Sequence, residues 1–327
     1  MAVSPILLAV RALGLGDLLA AVPALRGLRR GFPEHRIVLA APDGLGPLAM
    51  LTGAVDEVLE TRPLETPALN APDIAANLHG SGPESHRAIL RTRPHRLLAF
   101  EHPEVPESAG MPAWDPHEHE VERWCRLLAA FGLFADPNDL DLAPPPVAAP
   151  VGTGAAFIVH PGAAQPSRRW PVDRWAAVVR GLRAAGRRVI ITGSSEERPL
   201  ALEVARLAGV PEISVLAGRT DVLQLAAAIS AADTLVAGDT GVGHLATALG
   251  TPSVLLFGPT PPAHWGPPPG RRLHRVLWAG EPSDAFASEP APGLLRLTAD
   301  QVLEALEVPP ALDSPQPGHW RPSTAPS

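Results

Sequence analysis

Short apolar runs alternate with amphipathic stretches along most of this chain. Residues 6–10 are apolar, a turn with two glycines follows, and residues 36–41 form the next apolar run. Between them, apolar positions recur on one helical face across residues 18–28, so the pattern predicts a strand, a helix and a second strand. Pro23 lies inside the helical pattern and predicts a kink or a new helix start. This order is the repeating unit of a parallel sheet with right-handed crossovers.

The alternation continues along the chain and is stronger in its second half. The patterns predict strands at residues 55–59, 74–78, 97–100, 156–160, 188–192, 213–216, 234–237 and 253–257. They predict helices at residues 119–131, 171–185, 196–208, 221–231, 243–249 and 298–306. Such alternation is typical of doubly wound α/β sheets, which bind ligands at the carboxyl ends of their strands.

A proline-rich stretch at residues 143–150 interrupts the alternation. Such a stretch is stiff and does not fit inside a sheet, so it predicts a linker between two domains. A chain of 327 residues is also long for a single hydrophobic core. We therefore predict an N-terminal domain at residues 1–145, a C-terminal domain at 151–308 and a disordered tail rich in Pro and Ser at 309–327.

Composition and charge narrow the class of protein. Hydrophobic residues make up 46% of the chain and charged residues 19%, which suits a packed core. A net charge of −7 argues against a nucleic-acid-binding protein. No stretch reaches the roughly 18 apolar residues of a membrane span, and the short apolar start lacks the basic region of a signal peptide. The sequence predicts a cytoplasmic protein, and contact with the inner face of the membrane stays open.

The basic residues and the single cysteine limit the chemistry. Every basic residue apart from histidine is Arg, so guanidinium groups must bind any phosphate. Cys125 has no partner for an internal disulfide, and we interpret it as a buried structural thiol. No His, Cys or carboxylate spacing matches a zinc site and no Asp-x-Asp occurs, so no metal is predicted. The polar run at residues 115–120 is interpreted as a helix start.

The first candidate cluster follows the first predicted strand. Gly16 permits close backbone approach, and Asp17 would project from a helix start into a cleft. Alternatively, Asp17 only caps its helix, a position that Asp favours. The two glycines of this turn also suggest a dinucleotide-binding loop, but Leu19 stands where the third glycine belongs.

Two more clusters follow the first two strands of the second half. Gly162 lies in a loop before Arg168 and Arg169, which places two guanidinium groups near a helix N-terminus, a suitable site for a diphosphate. A solvated Arg pair is the alternative. Gly193 and Glu196 follow the next strand, where a carboxylate can accept hydrogen bonds from ribose hydroxyls. Glu196 can equally serve only to complement the helix dipole.

The fourth cluster carries the most information. Asp239, Thr240 and Gly241 follow a buried strand, and His244 lies in the first turns of the next helix. Backbone N–H groups from Thr240 onward can cradle a phosphate, and His244 can donate a hydrogen bond to it. The alternative for His244 is a core histidine whose ring bonds to backbone.

Taken in order, these motifs resemble glycosyltransferase family 9, the heptosyltransferase-like enzymes of bacterial cell-surface glycan synthesis. The resemblance rests on Gly16-Asp17-Leu18-Leu19 with Pro23-Ala24-Leu25, His160-Pro161-Gly162, Arg168-Arg169-Trp170-Pro171, Gly193 with Glu196, Asp239-Thr240-Gly241 with His244-Leu245-Ala246, and Phe257-Gly258-Pro259-Thr260. It covers residues 6–270. The Asp-Thr-Gly-x-x-His-Leu element is its most specific part.

The resemblance implies a GT-B fold, in which two Rossmann-like doubly wound domains face each other across a cleft. It implies inverting, metal-independent transfer of heptose or a related sugar, without a cofactor. The donor would be a nucleoside diphosphate sugar, with an ADP-sugar favoured, on the C-terminal domain. The acceptor would be a cell-surface glycan or glycolipid on the N-terminal domain.

Site roles also follow from the resemblance. It implies that Asp17 is the general base and that Arg168, where the family has Lys, binds the donor diphosphate. It associates Glu196 with the donor ribose. The implied ligands of the donor diphosphate and sugar are Asp239, Thr240, Gly241 and His244, and further candidates in the cleft are Gly16, Gly162, Arg169 and Gly193.

Three other functions remain as alternatives. A nucleotide-sugar epimerase or hydrolase of the same fold would release free sugar or nucleotide with no acceptor present. A nucleotide-binding oxidoreductase would use the glycine turn before Asp17. A non-catalytic binder of sugar nucleotides would bind donor and tolerate the loss of Asp17.

Overall fold

The computed structural model describes residues 4–307 of the chain, so the tail predicted at residues 309–327 lies outside the described residues. The strands are β1 Ile6–Val10, β2 Arg36–Ala41, β3 Glu57–Glu60, β4 Ile74–Asn77, β5 Arg96–Leu98, β6 Phe157–His160, β7 Val189–Ile191, β8 Thr234–Gly238, β9 Ser253–Phe257 and β10 His274–Trp278. The α-helices are α1 Leu15–Ala20, α2 Val22–Gly31, α3 Gly46–Met50, α4 Glu84–Leu90, α5 Glu120–Ala130, α6 Val172–Ala184, α7 Arg198–Ala208, α8 Val222–Ser230, α9 Gly241–Leu249, α10 Pro262–Trp265, α11 Pro292–Arg296 and α12 Ala299–Glu307.

The N-terminal sheet has five parallel strands in the order β3-β2-β1-β4-β5. Strand β1 pairs with β2 on one side and with β4 on the other, so the strand order reverses beside its carboxyl end. In open α/β sheets, ligands bind in the crevice at this switch point. The loop from β1 to α1, which carries Asp17, begins there.

The C-terminal sheet repeats this plan with the order β10-β9-β8-β6-β7. Strand β6 lies between β7 and β8, and all of these pairings are parallel. The loops that follow β6 and β8 therefore leave the sheet at its own switch point. Two Rossmann-like sheets, each with ligand-binding loops at one edge, confirm the fold class expected from the sequence.

Local sequence explains where the helices begin and end. Pro23 is the second residue of α2 and α1 ends at Ala20, so the proline marks a new helix start, one of the two predicted outcomes. Asp221 caps α8, since its side chain accepts a hydrogen bond from the backbone N of Gln224 at 2.8 Å. Helix α9 ends at Gly250 with φ of 68°, a left-handed conformation that glycine adopts without strain.

The structure corrects the predicted strands in two regions. Residues 213–216 were expected to form a strand, but Glu212–Ser214 form a short 3-10 helix, and Val215 makes only a single bridge to Ile191. Strand β10 was not predicted, because its alternating segment follows a proline-rich loop and pairs only with β9 at the sheet edge. All five residues of β10 are only partly buried, so its apolar pattern is weak.

The two domains meet where α1 packs on α9. One continuous cluster of buried apolar side chains includes Leu18 of α1 and Leu245 of α9. The backbones are very close there, since a methyl group added at Gly241 would lie 2.8 Å from the backbone N of Gly16. A methyl group added at Gly16 would lie 2.8 Å from Cδ2 of His244. Glycine at both positions is therefore what lets the two domains touch at this point.

Gly241→Ala is expected to destabilise the chain by about 1–3 kcal/mol, because the new methyl group meets backbone that must move. Urea unfolding of the two proteins would measure the difference. Gly154→Ala is the matched control, since a methyl group there meets no atom within 4 Å. If both variants unfold at the same urea concentration, the close approach of α1 and α9 is contradicted.

Candidate active site

Asp17 lies in the first turn of α1 at the N-terminal switch point. Its Oδ2 accepts a hydrogen bond from the backbone N of Gly14 at 3.2 Å, and its Oδ1 lies 3.1 Å from Nη2 of Arg11. The side chain keeps 27% of its surface exposed. Gly14 is the N-cap residue of α1, so the N-cap alternative for Asp17 is wrong: Asp17 bonds back to the cap from the first helical turn and keeps part of its carboxylate exposed.

The surroundings of Asp17 favour its neutral form. Burial raises its pKa above the ordinary value of 3.8; Arg11 opposes this shift, and the nearby Glu120 carboxylate adds to it. A backbone N–H from Gly14 lowers the pKa slightly, but the net direction is upward. A carboxylate with a raised pKa is a stronger base and holds a proton more readily, as general base catalysis requires.

Arg11 joins Asp17 to a second buried carboxylate. Its side chain is only 1% exposed, and its Nη2 lies 2.7 Å from Oε1 of Glu120 as well as 3.1 Å from Asp17. Its Nη1 donates to the backbone O of Leu78 at 2.6 Å, and its Nε donates to the backbone O of Asp17 at 2.9 Å. Neither Arg11 nor Glu120 was identified from the sequence, because they are 109 positions apart and no local spacing relates them.

The loop after β8 places a buried carboxylate beside a guanidinium group. Asp239 is 5% exposed, and its Oδ2 lies 3.4 Å from Nη1 of Arg168. Burial raises the pKa of Asp239, and Arg168 opposes that shift. Within residues 4–307, no hydrogen-bond partner is found for Oδ2 of Asp239, Nε of Arg168 or Oγ1 of Thr240. Buried polar atoms without partners are rare in native proteins, so this group has capacity to bind a polar ligand.

His244 lies at the start of α9 and faces the same loop. It is partly exposed and lines a pocket with Asp239, Thr240 and Trp265, so it is not a core histidine. Its ring meets the Trp265 ring edge-on at a centroid distance of 5.8 Å. Burial lowers the pKa of His244 to about 4, and the positive charge of His119 acts in the same direction. The ring is therefore neutral at pH 7 and can offer a hydrogen bond but no charge.

A third group of polar residues lies at the ends of β6 and β7. Nε2 of His160 lies 3.7 Å from Oε2 of Glu197, which also accepts a hydrogen bond from the backbone N of Ser194 at 2.8 Å. A methyl group added at Gly162 would overlap the Glu197 carboxylate, and one at Gly193 would lie 3.2 Å from Cβ of Glu197. Both predicted glycines therefore make room for Glu197.

The two consecutive glutamates in this loop have different surroundings. Glu196 is exposed, whereas Glu197 is partly buried against Gly162 and His160. Two consecutive glutamates follow the strand, and the motif alone does not say which one turns inward. Glu197 was not singled out from the sequence, and the ribose role of Glu196 stays a prediction.

The two neighbouring arginines have different surroundings. Arg168 is partly buried and reaches Asp239, whereas Arg169 is exposed and its Nε donates to the backbone O of Ala163 at 2.9 Å. The structure therefore brings Asp239, Thr240 and His244 together around one pocket. Arg168 adjoins this pocket through Asp239, and Gly241 meets Gly16, the neighbour of Asp17, on the opposing domain. The structure as a whole separates the other candidates from this pocket. It places Gly162 and Gly193 in the neighbouring loops and Arg169 outside the pocket.

Metal-binding clusters and membrane-spanning helices are both absent from the described residues. In residues 4–307, no group of three or more His, Cys, Asp or Glu side chains is arranged to hold a metal ion. No helix in that range is long and apolar enough to cross a membrane. Cys125 is buried, and burial raises the pKa of its thiol to about 12, as expected for a structural residue.

Solved structures of several transferases share this architecture. The chain is 21% identical to Escherichia coli ADP-heptose lps heptosyltransferase II, covering 92% of this chain and 97% of that chain with a TM-score of 0.71. The glycosyl transferase family 9 structure from Veillonella parvula DSM 2008 is 19% identical to the chain. The match covers 93% of this chain and 96% of that chain, with a TM-score of 0.72. E. coli heptosyltransferase WaaC, solved with ADP, is 20% identical to the chain. The match covers 92% of this chain and 98% of that chain, with a TM-score of 0.66. At these identities, the similarity shows a shared fold. No curated protein sequence matches the chain.

Two Rossmann-like domains that meet where α1 packs on α9 form the GT-B architecture that these solved structures share. The family model for glycosyltransferase family 9 (heptosyltransferase) matches residues 112–289, which is more than half of the chain. The chain belongs to glycosyltransferase family 9, as the resemblance of its motifs predicted.

Proposed function

We propose that this glycosyltransferase moves heptose or a related sugar from an ADP-sugar to a hydroxyl group of a cell-surface glycan or glycolipid. Transfer inverts the anomeric carbon and needs no metal. The observation that carries the proposal is the position of Asp17, an accessible carboxylate one residue from the point where Gly16 meets Gly241 and His244. A base on one domain thus stands beside the loop for anions on the other.

The donor belongs to the C-terminal domain at residues 151–308, and the acceptor to the N-terminal domain at residues 1–145. Arg168 and the N-terminus of α9 supply positive charge where a diphosphate would lie, and Thr240 supplies an unused hydroxyl. A neutral His244 can donate a hydrogen bond to a phosphate oxygen without adding charge. The ADP donor is supported by two family relatives, one named for ADP-heptose and one solved with ADP.

In the proposed reaction, Asp17 takes the proton of the acceptor hydroxyl while that oxygen forms a bond to the anomeric carbon. The bond from the anomeric carbon to the diphosphate oxygen breaks, and the nucleoside diphosphate leaves with the electron pair. Attack from the face opposite the leaving group inverts the anomeric carbon. Arg168 and the N–H groups at the start of α9 stabilise the growing negative charge. These fixed charges are what support transfer without a metal.

A donor screen tests this function. We expect an ADP-sugar to raise the melting temperature of the purified chain in EDTA, with a smaller rise from the GDP-, UDP- and dTDP-sugars and none from NAD(P). Transfer to an acceptor should persist in EDTA and yield a product of inverted anomeric configuration by NMR. Stabilisation by NAD(P) alone would instead indicate an oxidoreductase. Release of free sugar or nucleotide without an acceptor would indicate a hydrolase or epimerase.

The site of action follows from the proposed acceptor. A glycolipid acceptor carries its sugar at a membrane surface, so we propose that the enzyme works in the cytoplasm and at the inner face of the membrane. Flotation of the purified chain with vesicles that contain an acceptor glycolipid, compared with vesicles that lack it, tests this contact. Equal flotation with both kinds of vesicle, or with neither, would contradict it.

A further inference from the structure

The buried charges behind Asp17 form a chain that begins at α5. Glu120 is the first residue of α5 and is only 4% exposed. Its Oε1 accepts a hydrogen bond from Nε1 of Trp124 at 3.0 Å and lies 2.7 Å from Nη2 of Arg11, while its Oε2 pairs with Arg123. One carboxylate thus lies between two guanidinium groups, and only one of these reaches Asp17.

The bonds of Arg11 fix the position of Asp17. Its guanidinium group binds the backbone O of Leu78 at the end of β4, the backbone O of Asp17, the Asp17 carboxylate and Glu120. Burying an arginine is costly unless its charge and donors are matched, so Glu120 is what holds the guanidinium group in this place. The Asp17 and Glu120 carboxylates both accept a hydrogen bond from Nη2 of Arg11. A change at Glu120 therefore alters the strength of the hydrogen bond and ion pair between Arg11 and Asp17.

We propose that Glu120 is a positioning residue for the general base Asp17 and acts through Arg11. The inference rests on the proposed role of Asp17. Glu120 draws Arg11 away from a full ion pair with Asp17, which leaves that carboxylate basic enough to accept a proton. A lone Asp17–Arg11 pair would hold the carboxylate in its charged form and weaken it as a base.

The net charge of the cluster depends on whether Asp17 holds a proton. Two guanidinium groups, Arg11 and Arg123, face two carboxylates, Glu120 and Asp17, so the cluster is neutral when Asp17 is ionised and positive when Asp17 holds a proton. The negative charge of Glu120 contributes to raising the pKa of Asp17, whereas Arg11 lowers it.

Two of the histidines near this cluster have lowered pKa values. His79 after β4 and His244 of α9 are close enough to Arg11 that its charge acts on both, and their pKa values are lowered to about 4. His119 caps α5 beside Glu120, and its Nε2 bonds to the backbone O of Gly266 at 2.9 Å. Arg11 and Glu120 are thus the charged side chains that set the pKa of Asp17.

The experiment is the pH dependence of kcat/KM in variants of this cluster. In Glu120→Gln, Asp17 is the only carboxylate of the pair left to Arg11, so the pKa of Asp17 falls and the acid limb of kcat/KM should move to lower pH. We expect kcat to fall by about tenfold to a hundredfold and the donor KM to stay unchanged. Arg123→Gln should move the acid limb to higher pH, because Glu120 then draws Arg11 more strongly away from Asp17. Shifts in opposite directions are not expected from a purely structural role.

Two further variants serve as controls. Glu118→Gln removes a carboxylate two positions away that pairs with Arg126, and it should leave the acid limb in place. Glu120→Asp keeps the charge and should bring the acid limb back towards that of the wild type. Acid limbs that stay unchanged in folded Glu120→Gln and Arg123→Gln would overturn the inference alone. Full turnover in Asp17→Asn would instead overturn the base role on which it rests.

Discussion

Asp17→Asn is expected to lower kcat by about a hundredfold or more, with donor affinity retained. The amide keeps the shape of the carboxylate and can still accept from the backbone N of Gly14, but it has no basic oxygen to take the acceptor proton. Donor affinity should survive, since the groups proposed to hold the diphosphate lie on the other domain. Steady-state kinetics and donor titration of the same preparation would measure both quantities.

The stability of this variant gives an independent check. The pKa of Asp17 is raised in the folded chain, so folding disfavours its charged form. A group of this kind costs stability as the pH rises past its unfolded pKa towards its folded pKa, and that cost persists at neutral pH. A neutral Asn should therefore leave the free energy of unfolding at pH 7 unchanged or increased. A variant that is both inactive and strongly destabilised would contradict the base role, because lost folding would then explain lost turnover.

The raised pKa of Asp17 also predicts how kcat/KM of the wild-type enzyme depends on pH. The acid limb of kcat/KM should lie above the ordinary Asp pKa of 3.8, because the base must lose its proton before it can act. It should be absent from the residual activity of Asp17→Asn. This variant is also the control for His244, whose pKa is lowered to about 4 and which therefore titrates in the same acid range.

Most of the fold could be predicted because its strands are buried on both faces. Strands such as β1 and β9 read as continuous apolar runs, and Pro23 and Gly250 mark helix boundaries through their own backbone chemistry. Strand β10 has neither advantage, since it lies at a sheet edge after a proline-rich loop. Residues 213–216 were wrongly predicted as a strand for a related reason. A short apolar run does not indicate whether a neighbouring strand pairs with it.

The site could be predicted only where its residues are close together in sequence. Asp239, Thr240 and Gly241 are consecutive, so a motif reveals them. Asp239 and Thr240 line one pocket with His244, and Arg168 adjoins that pocket through Asp239. The polar run at residues 115–120 was correctly interpreted as a helix start, but its last residue, Glu120, also faces Arg11 across the fold. Such a contact depends on packing between distant segments and leaves no spacing in a single sequence.

Arg168→Gln is expected to weaken donor binding by about tenfold to a hundredfold and to lower kcat/KM by more than that. Glutamine loses the guanidinium charge that would neutralise the diphosphate, and the loss grows as the leaving group gains negative charge. It also leaves the carboxylate of Asp239 without its only cation within 4 Å among the described residues, which raises the pKa of Asp239 further. Isothermal titration with ADP and steady-state kinetics would separate the two effects.

The neighbouring arginine provides the matched control. Arg169→Gln removes the same charge one position along the chain, from an exposed side chain that bonds to the backbone of Ala163, so donor affinity should change little. Adding Asp239→Asn to Arg168→Gln removes the unpaired buried carboxylate and should restore the melting temperature without restoring ADP affinity. Equal loss of affinity in Arg168→Gln and Arg169→Gln would contradict the assignment of the diphosphate to Arg168. Recovery of affinity in the double variant would mean that Arg168 acts only by neutralising Asp239.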